Sequence, residues 1–362
     1  MVDWKEFTVV VLCLILMTSY VVWDNKGAFE FPAMIPRVMN ITRLTSSGIN
    51  DTQSSENTQS SETSLKVGSS EERLMDSIMS HYNMTSVREL QHITRKYFSP
   101  KRHIIAMSDL DIFIEKCHTK SFTLRNSKKR CDVTHTPIKR YRTCALIGNG
   151  GILLDSGCGA EIDAHEFVIR NNLPPTLPYA KDVGKRTNLT TINRARLAQV
   201  ARGLRRKKKK DTLARLGESP GMIFSYSLSL PGSPSKKKLE AIDKAIKENN
   251  IDAVTAFSHQ SYMGNKGYDL YKELFHKRLR LPSTGMNTFA LASTFCDRIS
   301  LYGFYPLSTY KNKTVPYHYY DGKMYNKVHK MPVEFETFQQ LHSKGTIRLV
   351  VGKCNVTLGE KL

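Results

Sequence analysis

Several things are missing from this 362-residue chain, and each absence narrows its chemistry. No Cys-x-x-Cys pair occurs and the histidines are scattered rather than set at ligand spacing, which argues against a zinc site. No G-x-G-x-x-G fingerprint is present, so the standard dinucleotide turn is not available. Acid is scarce: 33 Asp and Glu face 54 Lys and Arg, a net charge of +21. Such a surface suits anionic partners, whether nucleotide, acidic glycan, membrane surface or nucleic acid. Long uncharged runs are also rare. The one at residues 7–23 would span about 25 Å as a helix, and no small-x-small cleavage site follows it.

That run reads as an uncleaved signal anchor, with a cytoplasmic tail at residues 1–6. It is short enough to suit a thin early-secretory membrane. Residues 24–72 lack periodicity and are rich in Ser, Thr and Asn, as expected of a flexible stem. Six Asn-x-Ser/Thr sequons, at Asn40, Asn50, Asn83, Asn188, Asn312 and Asn355, fit a lumenal chain. Six of the seven cysteines (Cys117, Cys131, Cys144, Cys158, Cys296, Cys354) lie beyond the anchor, so disulfides are expected there. Anchor and sequons together argue against a nucleic-acid role.

Residues 73–362 read as one α/β domain. Cys144-Ala145-Leu146-Ile147 is a buried-strand run followed at once by Gly148-Asn149-Gly150-Gly151, a turn expected to present backbone N–H groups to an anion. Further strands are expected at residues 166–170, 188–193, 222–228, 253–257 and 299–304, and helices at 236–249, 268–278 and 287–296. That alternation predicts a mostly parallel, doubly wound sheet. Pro282-Ser283-Thr284-Gly285 gathers hydroxyl and backbone donors at a helix start. Asp109-Leu110-Asp111 has the form of a metal-binding Asp-x-Asp, but it precedes the sheet and reads better as an acidic capping pair. Ten of the 22 residues at 194–215 are Lys or Arg, an exposed basic helix or loop that could dock a polyanion or lipid head groups. Tyr317-His318-Tyr319-Tyr320-Asp321 and His329, just before a helix that Pro332 would open, place two imidazoles in a short span, as acid/base chemistry requires.

These residues carry a family resemblance. The stretch from Cys144 through Cys158 with Phe167-Val168-Ile169-Arg170 and Asn172 resembles the large sialylmotif of animal sialyltransferases. Pro282 to Cys296 with Leu301-Tyr302-Gly303-Phe304 and Pro306 is similar to the small motif. His318-Tyr319-Tyr320-Asp321 resembles the third motif, and His329 with Met331, Pro332, Glu334 and Phe335 the very small one. The nearest subfamily in pattern is the α2,8-sialyltransferases.

The resemblance implies a modified GT-A, Rossmann-like fold and inverting transfer of sialic acid from CMP-sialic acid, with no metal and no cofactor. It implies donor-binding roles for Asn149, Asn172, Ser283, Thr284, Gly285, Tyr305, Tyr317 and His318, with His318 beside the departing phosphate and His329 as the base. It further implies the disulfides Cys144–Cys296 and Cys158–Cys354, which leaves Cys117 with Cys131 as a local pair by elimination. The expected partners are a sialylated glycoprotein or ganglioside acceptor, the Golgi membrane through residues 7–23 in single-pass type II topology, and a second copy of the chain in a homodimer. The alternatives are transfer to galactose or N-acetylgalactosamine, and a catalytically silent polyanion-binding homologue. Four positions depart from the family pattern: Asn171 where Cys is usual, Tyr305 where Trp is usual, and Arg194-Ala195 where Pro-Ser usually follows the asparagine.

Overall fold

The strand-forming runs assemble into an eight-stranded sheet. The computed structural model describes residues 70–117, 135–205, 207–228, 234–259, 266–275, 282–323 and 329–354. The expected anchor, most of the stem, the sequons at Asn40, Asn50 and Asn355, and Cys131 lie outside them. No helix among the described residues is long and apolar enough to cross a membrane.

The strands are β1 (Ile105–Ala106), β2 (Tyr141–Ile147), β3 (Phe167–Asn171), β4 (Leu189–Ile192), β5 (Gly221–Leu228), β6 (Ala253–His259), β7 (Cys296–Tyr302) and, after a two-stranded hairpin of β8 (Thr309–Tyr310) and β9 (Lys313–Thr314), β10 (Arg348–Val350). Their order in the large sheet is β1-β6-β5-β4-β3-β2-β7-β10. Every pairing is parallel except the edge pair β1 with β6. The chain winds outward from β2 to β6, then returns to place β7 on the other side of β2. That reversal creates a crevice at the carboxyl ends of β2 and β7, the usual ligand position in such sheets.

Both faces of the sheet are covered, which explains the apolar runs. Side chains alternate: Cys144, Leu146, Phe167 and Ile169 join one core with Phe289 and Phe338, whereas Ala145, Ile147 and Val168 face Ile162 and Tyr302 on the other side. After α1 (Ser70–Ser80), the first face is covered by α2 (Met84–Tyr97) and, further along the chain, by α6 (Lys266–Phe275), α7 (Thr284–Ala292) and α8 (Met331–Ser343). On the second face lie α3 (Arg194–Gly203), α4 (Lys209–Gly217) and α5 (Pro234–Glu248), with Leu197, Val200, Leu239, Ile242 and Ile246 in a core with Ile223 and Phe257. The helix expected at 287–296 starts and stops earlier, because Ser283 caps it and Cys296 already belongs to β7.

Both implied disulfides are present. Cys144–Cys296 links β2 to β7 across 152 residues with Cα atoms 5.9 Å apart, and Cys158–Cys354 spans 196 residues. Loop closure on that scale contributes about 4–5 kcal/mol per bridge. Asp109 is a structural acid: its carboxylate takes the backbone N–H and Nδ1 of His135. No group of three potential metal ligands occurs among the described residues. At the amino end of β4, the Asn188 Oδ1 accepts the Val168 N–H at 2.8 Å, and Thr190 of the same sequon is fully buried.

Candidate active site

β2 delivers the glycine turn to the carboxyl edge, but the backbone there is already engaged. Gly148 N–H donates to Tyr302 O (2.7 Å), Gly150 N–H to Gly303 O (3.1 Å) and Gly151 N–H to Pro316 O (3.1 Å). The expected anion cradle is therefore not formed by these three donors. Glycine is required for another reason: a Cβ would come within 2.5 Å of Gly303 O at position 148, and within 2.3 Å of Pro316 O at position 151.

Asn149, within the turn, points its amide inward. Its Nδ2 donates to Asn171 O (3.1 Å) and approaches the Tyr320 hydroxyl (3.5 Å), while its Oδ1 is buried with no partner among the described residues. At the end of β3, Asn172 adopts φ of 64°, a conformation asparagine tolerates well, and its Oδ1 accepts the Asn193 N–H at 3.1 Å. Its neighbour Asn171, one of the departures from the family pattern, is fully committed. Its Nδ2 reaches Ile147 O (3.0 Å), and its Oδ1 accepts from Thr191 (2.9 Å) and Thr288 (2.7 Å), which ties β2, β4 and α7 together.

The start of α7 is built around a carboxylate that sequence reasoning did not single out. Glu334, in the first turn of α8, is buried; its Oε1 accepts the Ser283 N–H (2.7 Å) and its Oε2 the Ser283 hydroxyl (2.6 Å). Ser283 Oγ also accepts the Met286 N–H at 3.1 Å, the N-cap bond of α7. Burial raises the Glu334 carboxyl above the usual range, against the pull of the two Ser283 hydrogen bonds and of nearby His329. Ser283 thus positions the helix start, while the other first-turn N–H groups have no intrahelical acceptor. Thr284 Oγ1 accepts from Asn193 Nδ2 (3.3 Å). Gly285 faces the Phe304 ring, whose Cε1 would sit 2.7 Å from an added Cβ.

The histidine loop stacks rings over this edge. Tyr317 lies on His318 (centroids 4.3 Å, 27°) and His318 on Tyr320 (5.2 Å, 13°). His318 Nδ1 is 2.9 Å from Asp321 Oδ1, and burial lowers its pKa although Asp321 pulls the other way. The Tyr317 hydroxyl reaches Met331 Sδ at 3.5 Å, which joins this loop to the start of α8 two residues after half-buried His329. Tyr305 presents its ring edge-on to Phe335 (5.4 Å) and donates its hydroxyl to Thr309 O (2.7 Å). All nine expected site residues therefore belong to segments that meet at one edge of the sheet. Asn171, Asn193, Arg196, Asp321 and Glu334 join them there; Asp321 and Glu334 lay inside the recognised motifs, and Arg196 was hidden in the basic run.

Residues 78–346 match the family described as glycosyltransferase family 29 (sialyltransferase). Among curated relatives, the alpha-2,8-sialyltransferase 8F of Pan troglodytes and that of Homo sapiens are each 35% identical over 228 residues, covering 60% of this chain and 54% of theirs. The match thus spans about half the length of those relatives. Two solved structures of mammalian sialyltransferases also align. One, in complex with Gal-beta-1-3GalNAc-ortho-nitrophenol, has a TM-score of 0.39 at 23% identity over 59% of this chain and 70% of that chain; the other has 0.43 at 19% over 71% and 92%. With the family profile matched from the first helices to the loop before the last strand of the sheet, the chain belongs to glycosyltransferase family 29, the sialyltransferases.

Proposed function

We propose that the protein transfers sialic acid from CMP-sialic acid to the C8 hydroxyl of a terminal sialic acid on a glycoprotein or ganglioside glycan, with inversion. What carries this reading is the convergence of four separated sequence motifs on one carboxyl edge, together with the relatives' name. Asn149, Asn172 and the α7 start at Ser283, Thr284 and Gly285 would hold the donor, with Tyr305 and Tyr317 as aromatic walls. His329 takes the proton from the acceptor hydroxyl as its oxygen bonds to the anomeric carbon, and the bond to the CMP phosphate breaks with its electron pair leaving on CMP. A neutral imidazole is a competent base for that task. His318 has one nitrogen held by Asp321. Burial disfavours its cation in the free enzyme, and an arriving anionic phosphate raises its affinity for a proton that offsets the leaving group's charge. The reading gives no role to a metal, and it puts the domain in the Golgi lumen behind an anchor at residues 7–23.

The test uses the full-length chain in detergent with CMP-sialic acid and matched sialylated and desialylated acceptors, with and without chelator. The expected product is an α2,8 linkage formed only on the sialylated acceptor and unaffected by chelation. His329→Ala should lower turnover by about 10²-fold or more. Undiminished turnover in that variant would overturn the base assignment, and product on desialylated acceptors alone would shift the reading to galactose or N-acetylgalactosamine.

A further inference from the structure

The basic run is not used by the reaction above, and Arg196 behaves unlike its exposed members. Arg202, Arg205, Lys207, Lys209 and Lys210 are exposed to solvent, as the sequence predicts, whereas Arg196 turns inward. Its backbone N–H is capped by Asn193 Oδ1 at 2.9 Å. Asn193 is the residue whose N–H binds Asn172 and whose amide binds Thr284, so Arg196 sits one helical turn from the expected donor-binding groups.

Its guanidinium is held rigidly but incompletely. Nη1 donates to Gln199 Oε1 and Nη2 to Leu173 O, both at 2.7 Å, while Nε is buried with no partner among the described residues. No described carboxylate lies within ion-pair distance of it. The charged and titratable groups facing it are Tyr320 and Asp321, which favour the cation, and Arg215, which opposes it; burial outweighs them and draws its pKa down. Asp321 is engaged by His318, and Arg215 by Glu218 at 2.9 Å. A second polar atom is idle nearby. Asn149 Oδ1 is buried and unpartnered, and the Asn149 amide lies 3.5 Å from the hydroxyl of the same Tyr320. A mostly buried cation with an unused donor is costly until an anion reaches it.

We infer that Arg196 is a substrate-binding residue whose Nε–H takes an anionic oxygen of the bound substrates. The inference rests on the sialyl transfer proposed above, which offers three such oxygens: the donor phosphate, the donor sugar carboxylate and the carboxylate of an acceptor sialic acid. A purely structural Arg196 would only brace Leu173 and Gln199.

The test compares full-length wild type with Arg196→Gln and Arg196→Lys, reading KM for donor and acceptor, kcat, thermal unfolding, and calorimetric affinity for CMP and for free N-acetylneuraminate. Loss of a charge-assisted hydrogen bond should raise one KM about 10- to 100-fold, with kcat within a few-fold and the unfolding temperature unchanged. Weakened CMP binding would assign the phosphate. A raised donor KM with CMP binding intact would assign the donor carboxylate. A raised acceptor KM, with lost discrimination against desialylated acceptors, would assign the acceptor carboxylate. Arg196→Lys keeps the charge without the fork and should recover only part of the affinity; should Arg196→Gln fail to fold, Arg196→Lys alone reads the same constants. The inference is overturned if all constants stay within twofold, if Arg196→Lys matches wild type, or if losses merely track unfolding. Absence of transfer by the wild type would instead count against the proposed reaction.

Discussion

Two turns of this molecule look alike in sequence. Gly148-Asn149-Gly150-Gly151 and Pro282-Ser283-Thr284-Gly285 both follow the pattern of a glycine-bearing connection feeding a helical turn. They use their backbone differently. In the first, three N–H groups are spent on Tyr302, Gly303 and Pro316, and the glycines exist so that neighbouring backbone can come close. In the second, the Glu334 carboxylate holds the N–H and hydroxyl of Ser283, and Ser283 Oγ in turn holds the Met286 N–H. A glycine run marks close approach; what approaches is decided elsewhere in the chain.

The comparison can be broken most forcefully at the first turn. Gly151→Ala should cost about 3 kcal/mol or more, because its Cβ meets the Pro316 carbonyl at 2.3 Å with no flexible side chain to yield; chemical denaturation would measure it, and a near-neutral result would mean that Pro316 moves freely. A middle-sized effect belongs to Glu334→Gln, which leaves one acceptor for Ser283 and sets an amide donor against its other donor. We expect a loss of about 1–3 kcal/mol together with weaker donor binding. This variant also has a pH signature. Since burial raises the Glu334 pKa in the folded state, the native protein binds that proton more tightly than the unfolded chain. Its contribution to stability is thus full below the unfolded pKa and lost as pH rises through the folded one, so the stability difference between variant and wild type should change across that window. The smallest effect is Ser283→Ala, about 1 kcal/mol for the lost cap, read as a shift in thermal midpoint with turnover reduced through donor KM.

Much of the fold was legible because buried parallel strands must be apolar, so β2 to β7 and the helices α5 to α7 announced themselves, whereas α3 and α4 were read only as a basic helix or loop. β1, with two residues, and β10, with three, were not, since so short a run carries no pattern. At the site, the motif residues were readable as types but not their partners. Ser283 and Glu334 are 51 positions apart, and no local rule pairs them. The burial of Arg196 was masked by the six consecutive cations at 205–210, although its face of α3 also carries Val200 and Gln199. At position 171, where Cys is usual, the asparagine supplies three hydrogen bonds that no residue type alone announces.

One of the sequons has a timing consequence. Thr190 is enclosed by its sheet neighbours, and the Asn188 side chain already holds the β3 backbone, so the finished domain hides the Asn-Leu-Thr triplet from any oligosaccharide-transferring enzyme. Were the chain to enter the secretory pathway, a sugar on Asn188 would have to be added before β4 docks.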